Sequence, residues 1–231
     1  MWGGDPNCNY PQGCGTIFSV TPTGVLSILH NFEETDGAMP YGGLFQATDG
    51  NLYGTTFVGG TGQGTIYRLD MGLGPFVAFV RSYAKAGQIG GVLGQGFKGT
   101  TSVSINGTPA PYTVKSDTYL TVTVPAGATT GPVYVTTPSD TLTSNVPFRI
   151  TPQILSFDPP NGPIGTQVTI TGVSLTQTTE VGFGDYIPAS FTVNSDTQVT
   201  ATVPKHAKTG PVGIETPGGT AISRGAFTVT P

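Results

Sequence analysis

Charge is what this chain has least of. Only 10 % of its 231 residues are Asp, Glu, Lys or Arg, against roughly 25 % in an average soluble domain. Its nine Lys and Arg residues form no cluster and the net charge is −4, with a sequence pI near 4.9. Phosphate backbones repel such a surface, so nucleic-acid binding is not expected. Lys and Glu are scarce and no window spaces apolar residues at three and four, which argues against long surface helices. No apolar run reaches the roughly 18 residues of a membrane span. Met1-Trp2-Gly3-Gly4 offers neither a basic start nor an apolar core, so no secretory signal is legible. That leaves a cytosolic protein or a piece of a longer exported one, and the repeats described below favour the second.

Catalytic signatures are equally absent. There is no Gly-x-Ser-x-Gly elbow, no P-loop and no cysteine paired with a histidine, and no paired carboxylates are indicated, so no enzyme is expected. Only two cysteines occur, Cys8 and Cys14, in one Asn/Pro/Gly-rich loop. Zinc would need two further ligands, and neither His30 nor His206 stands at ligand spacing; no metal or cofactor is expected. Export would favour a local Cys8–Cys14 disulfide, and two free thiols are the alternative.

Glycine and proline are abundant: 35 and 20 residues, together 55 of 231 or about 24 %. Disorder would account for that excess, but 36 % of the residues are hydrophobic, and they alternate. Short strands joined by many turns give the same excess. Thr and Val recur throughout, and their branched Cβ atoms suit a pleated surface. An all-β fold is expected.

The C-terminal two-thirds are duplicated. Ser116-Asp117-Thr118 recurs as Ser195-Asp196-Thr197, Val124-Pro125 as Val203-Pro204, Thr130-Gly131-Pro132 as Thr209-Gly210-Pro211, and Phe148 as Phe227, each 79 residues apart. Upstream, Gly94 matches Gly172 and Val103 matches Val181 at a spacing of 78. One residue is therefore inserted near Tyr186-Ile187, where a hairpin turn is expected. The N-terminal third carries a different repeat, Gly15-Thr16-Ile17-Phe18 returning as Gly64-Thr65-Ile66-Tyr67 after 49 residues, and Trp2-Gly3-Gly4 matches Val58-Gly59-Gly60 more loosely. The expected organisation is a partial β-repeat over 1–72 and two sandwiches over 73–151 and 152–231, with Met71–Pro75 and Thr151-Pro152 as the joints. A repeat begun mid-unit cannot bury its face alone, which is why a longer parent protein is expected.

The second copy reads most clearly. Ile154–Phe157 opens it, and Pro159, Pro160 and Asn161-Gly162 interrupt the strand. Gln167–Gly172 alternates with period two, pointing Val168 and Ile170 inward. Further strands follow at Glu180–Phe183, Ala189–Val193, Gln198–Val203, Val212–Thr216 and Ala226–Val229. About seven short strands in about 80 residues is the spacing of an immunoglobulin-like sandwich.

The run Pro160-Asn161-Gly162-Pro163-Ile164-Gly165-Thr166, then Val168-Thr169-Ile170-Thr171-Gly172, Val203-Pro204 and Thr209-Gly210-Pro211-Val212 resembles IPT/TIG domains. These are immunoglobulin-like modules of plexins, some transcription factors and many bacterial surface or exported proteins. The resemblance covers both copies. In the first, however, Arg81-Ser82-Tyr83-Ala84-Lys85-Ala86-Gly87 replaces the proline-rich motif, and Gly90-Gly91-Val92-Leu93 replaces the Thr-rich strand. The segment Gly42–Thr56 resembles the GloVer repeats of large exported bacterial proteins, and Asp49-Gly50-Asn51 is a hairpin turn within it. A period near 50 with four strands suits a β-propeller blade.

These resemblances imply a non-catalytic, secreted or cell-surface bacterial module. Its sandwiches would act as spacers, adhesion domains or ligand-binding domains toward a protein or polysaccharide. The alternative is an accessory carbohydrate-binding module of an extracellular enzyme. His30 is expected at a surface or edge, His206 in a solvated turn, and Glu33-Glu34-Thr35-Asp36 in a solvated loop too short for calcium. Asp49 and Asp196 are expected to accept hydrogen bonds from their own turns. Tyr41, Tyr53 and Tyr112 would stack on sugars if exposed, with cross-strand packing the commoner role.

Overall fold

The computed structural model describes Cys8 and residues 13–231; the Trp2-Gly3-Gly4 match lies outside them. Every regular element in the described residues is a strand, and no helix there is long and apolar enough to cross a membrane. The chain divides into two compact units, Met1–Gly74 and Pro75–Pro231.

In the second unit, the copy beginning at Gln153 stacks two sheets. One runs Gln153–Asp158, Gln167–Val173, Gln198–Thr202, Phe191–Ser195, all antiparallel. The other runs Asn161–Gly162, Gly219–Val229, Gly210–Thr216, Glu180–Phe183, Ile187–Pro188. Prolines 159 and 160, which cannot donate to a ladder, stand at the crossing: the opening strand leaves the first sheet after Asp158, and Asn161–Gly162 pairs in parallel with Thr228 and Val229 in the second. Val168 and Ile170 are fully buried, as their alternation predicts, and share the core with Phe183, Ile214 and Phe227. Phe227 meets Phe183 edge-on, centroids 5.3 Å apart, a favoured geometry for two rings.

The first copy reaches the same plan with different residues. Tyr83–Ala84 pairs in parallel with Arg149–Ile150, the counterpart of the Asn161–Gly162 crossing. Ile89–Leu93 stands where Gln167–Val173 stands in the second copy, paired to Tyr119–Thr123. Gly90 occupies the place of Val168, with the Phe148 ring beside it; Phe79 and Phe148 pack at 5.1 Å where the second copy packs Phe157 and Phe227 at 6.3 Å. The aromatic pair is kept in both copies although the strand pattern is not.

The one-residue insertion falls in a turn. Asn106-Gly107, both at positive φ, join Ser102–Ile105 to Thr108–Pro109; this pair suits a tight two-residue hairpin. In the second copy three residues, Gly184, Asp185 and Tyr186, join Glu180–Phe183 to Ile187–Pro188. The extra residue lays the Tyr186 ring over Gly182 and Gly213, where a Cβ on either would collide with it.

Hydroxyls finish what the ladders leave open, identically in both copies. A bulge in the last pairing leaves the Val212 amide without a backbone partner, and it donates to Ser223 Oγ at 2.9 Å. Val133 donates to Ser144 Oγ at 3.0 Å. Thr130 Oγ1 accepts from Ile150 N, and Thr209 Oγ1 from Val229 N.

The sandwiches touch through Gln177, whose Oε1 accepts from Thr130 N at 2.6 Å and whose Nε2 donates to Thr130 O at 3.1 Å. Gly218 packs on the Ile150 carbonyl so closely that any Cβ would collide with it.

The first unit is smaller. Thr16–Val20 and Leu26–Asn31 form a hairpin, and Phe45–Gln46, Leu52–Thr55 and Ile66–Leu69 form a three-stranded antiparallel sheet. The repeated tetrapeptides thus lead into equivalent strands, Thr16–Val20 and Ile66–Leu69, in separate sheets, and no four-stranded sheet forms among the described residues of this unit. Pro40 and the glycines at 37, 42 and 43 interrupt pairing between Asn31 and Phe45, leaving the bridge Ala38–Val58. Cys14, Ile17, Phe32 and Ala38 are buried, and Phe32 packs edge-on to Tyr67 at 5.0 Å. The outward residues of the hairpin, Phe18, Val20, Leu26 and Ile28, are all more than half exposed.

Ser223→Ala strands the buried Val212 amide, a loss of about 1–3 kcal/mol. Ser144→Ala should cost less, since Ser144 is only partly buried. Urea denaturation of both variants checks the order.

Candidate functional site

Among the described residues, Tyr41 and Phe57 form an exposed aromatic pair that shares a cleft. Tyr41 is 61 % and Phe57 68 % exposed, and their rings lie 6.0 Å apart at a tilt of 43°. Both backbones hang from one carbonyl: Met39 O accepts from Tyr41 N at 2.9 Å and from Phe57 N at 3.1 Å. Met39 presents it from the left-handed region, φ 59°, a conformation held by the Cys14 carbonyl accepting from Met39 N. The Tyr41 hydroxyl donates to Met39 Sδ at 3.3 Å.

Behind the pair, Thr56 Oγ1 accepts from Thr65 N at 2.9 Å and donates to Val58 O at 3.0 Å. Gly37 and Gly64 back onto the same threonine and its neighbour, leaving no room for a Cβ. The result is a rigid seat under two exposed rings. The cleft beside them, about 620 Å³, also presents Thr55 and Gln63. Rings on a fixed backbone, edged by a hydroxyl and an amide, suit a ligand with an apolar face and polar rim.

The other expected positions divide clearly. Asp49 holds its own turn: Oδ1 accepts from Asn51 N at 3.0 Å, and Oδ2 accepts from the Tyr53 hydroxyl at 2.8 Å. Hydrogen bonds from Asn51 and then Tyr53 hold the Asp49 carboxyl below its ordinary value. The same bond pushes the Tyr53 hydroxyl up. Tyr53 is therefore a turn residue, not a platform. Tyr112 is partly buried against the core of the first sandwich and donates to Thr100 O at 2.8 Å.

Asp196 departs from expectation. Its carboxylate accepts from Thr176 Oγ1 at 2.9 Å, while Ser195 Oγ takes the turn amide of Thr197. Ser195 Oγ closes the turn, and the Asp196 carboxylate ties in a separate loop. Asp117 likewise accepts from Lys98 N at 3.0 Å, and Ser116 from Thr118 N.

The structure brings His30 and Asp36 together, Nε2 to Oδ2 2.7 Å, both part-exposed. Asp36 Oδ1 also accepts from Glu33 N, so this acidic loop is closed by its own backbone. Cys8 and Cys14 are joined, Cα atoms 5.7 Å apart, and Cys14 is buried. His206 is exposed in a turn at positive φ. Among the described residues, no three His, Cys, Asp or Glu side chains gather as metal ligands.

Phe57 escaped the sequence reading. Its only signal is a large apolar residue just before Gly59-Gly60, and a core residue gives the same signal.

The IPT/TIG domain family matches residues 80–150 and 152–230. This chain belongs to the IPT/TIG domain family. No curated protein matches it. Among solved structures, it is similar to the surface glycan-binding protein PbSGBP-B from Prevotella bryantii, at 19 % identity and a TM-score of 0.46, over 66 % of this chain and 41 % of that one. It is also similar to SGBP-B from a complex xyloglucan utilization locus in Bacteroides uniformis, at 23 % identity and TM-score 0.31, over 66 % and 48 %. A third is the plexin A4 extracellular region, domains 1 to 8, at 18 % identity and TM-score 0.34, over 66 % and 18 %. The chain spans less than half the length of each of these three.

The Tyr53 bond makes a testable statement. In Tyr53→Phe, Asp49 loses one of the two side-chain hydrogen bonds that lower its pKa. Its carboxyl should titrate nearer the ordinary value, followed by NMR. The sign is that of a depressed carboxylate: its contribution to stability is present above the unfolded pKa and lost as pH falls through the folded one.

Proposed function

We propose that this chain is a non-catalytic module of a secreted or cell-surface bacterial protein, in which the two IPT/TIG sandwiches hold a neighbouring domain at a fixed spacing. The observation that carries this reading is the junction. Gln177 pairs with both backbone atoms of Thr130, and Gly218 rests on the Ile150 carbonyl, so the Thr151-Pro152 joint is braced on its flank. An ordered joint keeps two domains from swinging, which a spacer needs and a flexible tether does not. The domains divide at 1–72, 73–151 and 152–231. The first of these is a GloVer-type repeat, and its exposed Phe18, Val20, Leu26 and Ile28 face favours stacking against a further unit. A Cys8–Cys14 cross-link fits an oxidising compartment.

Pairing Gln177→Ala with Gly218→Val should release the joint. Exchange of the Thr130 amide should rise by about tenfold or more, with a broader small-angle scattering profile. Unchanged exchange and scattering would remove the basis for a spacer.

A second reading has its own support. The Tyr41–Phe57 cleft suits stacking on the C–H face of a neutral polysaccharide, as in an accessory carbohydrate-binding module. Aromatic anchors dominate such contacts. Retardation of the full chain in gels containing neutral glucans should weaken about tenfold in Tyr41→Ala or Phe57→Ala. Equal migration of wild type and variants in every glucan gel counts against it.

A further inference from the structure

The two sandwich copies differ most where the first opens, and the difference has a chemical direction. Where the second copy reads Pro159-Pro160-Asn161-Gly162-Pro163, the first reads Arg81-Ser82-Tyr83-Ala84-Lys85. Both segments make the same parallel pairing with the last strand of their own sandwich, so the fold does not require the exchange. Alternation along the segment buries Ala84 and leaves Arg81, Tyr83 and Lys85 exposed. The paired strand adds Arg149 beside them. The Arg81 guanidinium lies 5.2 Å and that of Arg149 5.6 Å from the Tyr83 ring centroid. Each is within cation–π range, so the ring holds two guanidinium forks near one point.

The Tyr83 ring that the two guanidinium groups flank also lines a groove. Tyr83 and Lys85 form its wall on the first sandwich, Arg224 contributes from the second, and the volume is about 570 Å³. Leu155 and Ile222, 66 % and 63 % exposed, give it an apolar floor. Two of the chain's nine cationic side chains, Lys85 and Arg224, thus line the groove, and two more, Arg81 and Arg149, flank its Tyr83 wall, on a protein of net charge −4. Among the described residues none of the four has a carboxylate within ion-pair distance. Clustered cations repel one another, and without acidic partners the cluster favours a ligand that supplies the anions.

We propose that the groove between the two sandwiches binds an anionic polysaccharide through its uronate carboxylates. Paired guanidinium forks match carboxylates in two-pronged hydrogen bonds, and Lys85 and Arg224 continue the positive strip along the groove. The apolar floor suits the C–H face of a sugar ring. An acidic peptide fits less well. The edge strand Gln153–Asp158 carries a bulge that skips Leu155, which spoils the regular ladder that an added peptide strand needs. The site is separate from the Tyr41–Phe57 cleft and stands or falls without it.

Isothermal titration of the full chain with oligogalacturonate, dextran oligomers and poly-L-glutamate tests this. Binding to oligogalacturonate alone is expected, weakening as salt rises. Arg81→Gln with Arg149→Gln should reduce affinity about tenfold or more at unchanged melting temperature. Tyr83→Phe should keep most of the affinity, and Tyr83→Ala should lose it, because only the ring organises the forks. The Tyr41→Ala variant should bind oligogalacturonate as the wild type does. The proposal is overturned if the chain binds none of the three, if poly-L-glutamate alone binds, or if the double variant binds oligogalacturonate undiminished.

Discussion

A backbone N–H inside a sandwich core has to be satisfied, and a chain of strands only two to eleven residues long offers many places where the ladder stops short. This protein answers with hydroxyls. Ser144 and Ser223 take amides at the same bulge, Thr130 and Thr209 take amides of the last strand, and Thr100 and Thr178 close the same loop onto Phe97 and Leu175. These contacts recur in both copies although many core side chains between them differ. The richness in Thr is therefore more than strand propensity. A chain with so few charged groups uses neutral, short acceptors to finish its backbone pairing, at little desolvation cost beside that of buried ions.

The same constraint explains the freedom elsewhere. Once backbone pairing is fixed, the core can trade Val168 for Gly90 under a retained aromatic pair, and the crossing segment can trade Pro159, Asn161 and Pro163 for Arg81, Tyr83 and Lys85. Chemistry accumulates at such tolerant positions, since a change there leaves pairing intact. The junction is less tolerant. Gly218 has a carbonyl where its Cβ would be, and Gln177 satisfies both backbone atoms of one residue.

Much of this was legible in the chain. The 79-residue period and its break to 78 located a turn that indeed differs by one residue, Asn106-Gly107 against Gly184-Asp185-Tyr186. Period-two alternation placed Val168 and Ile170 inside. Asp49 was legible as a turn residue because its partner lies two residues away. Asp196 was misread because Thr176, twenty residues earlier, outcompetes the local amide, and only folding brings it near. Phe57 and Tyr83 were missed as surface aromatics for a related reason: exposure is decided by what packs over a ring, and no local pattern records that.

The sequence by itself determined the all-β class, the duplication and the inward faces of the second copy's strands, because those follow from an alternation of two and a repeat of seventy-nine written along the chain. Tertiary structure alone decided which residues share a surface. It set Tyr41 against Phe57, hung both from the Met39 carbonyl, and drew Arg81 and Arg149 around Tyr83 from positions 68 residues apart. Such meetings depend on strand order and register, and those are fixed by burial and backbone pairing across the whole sheet rather than by any stretch of chain.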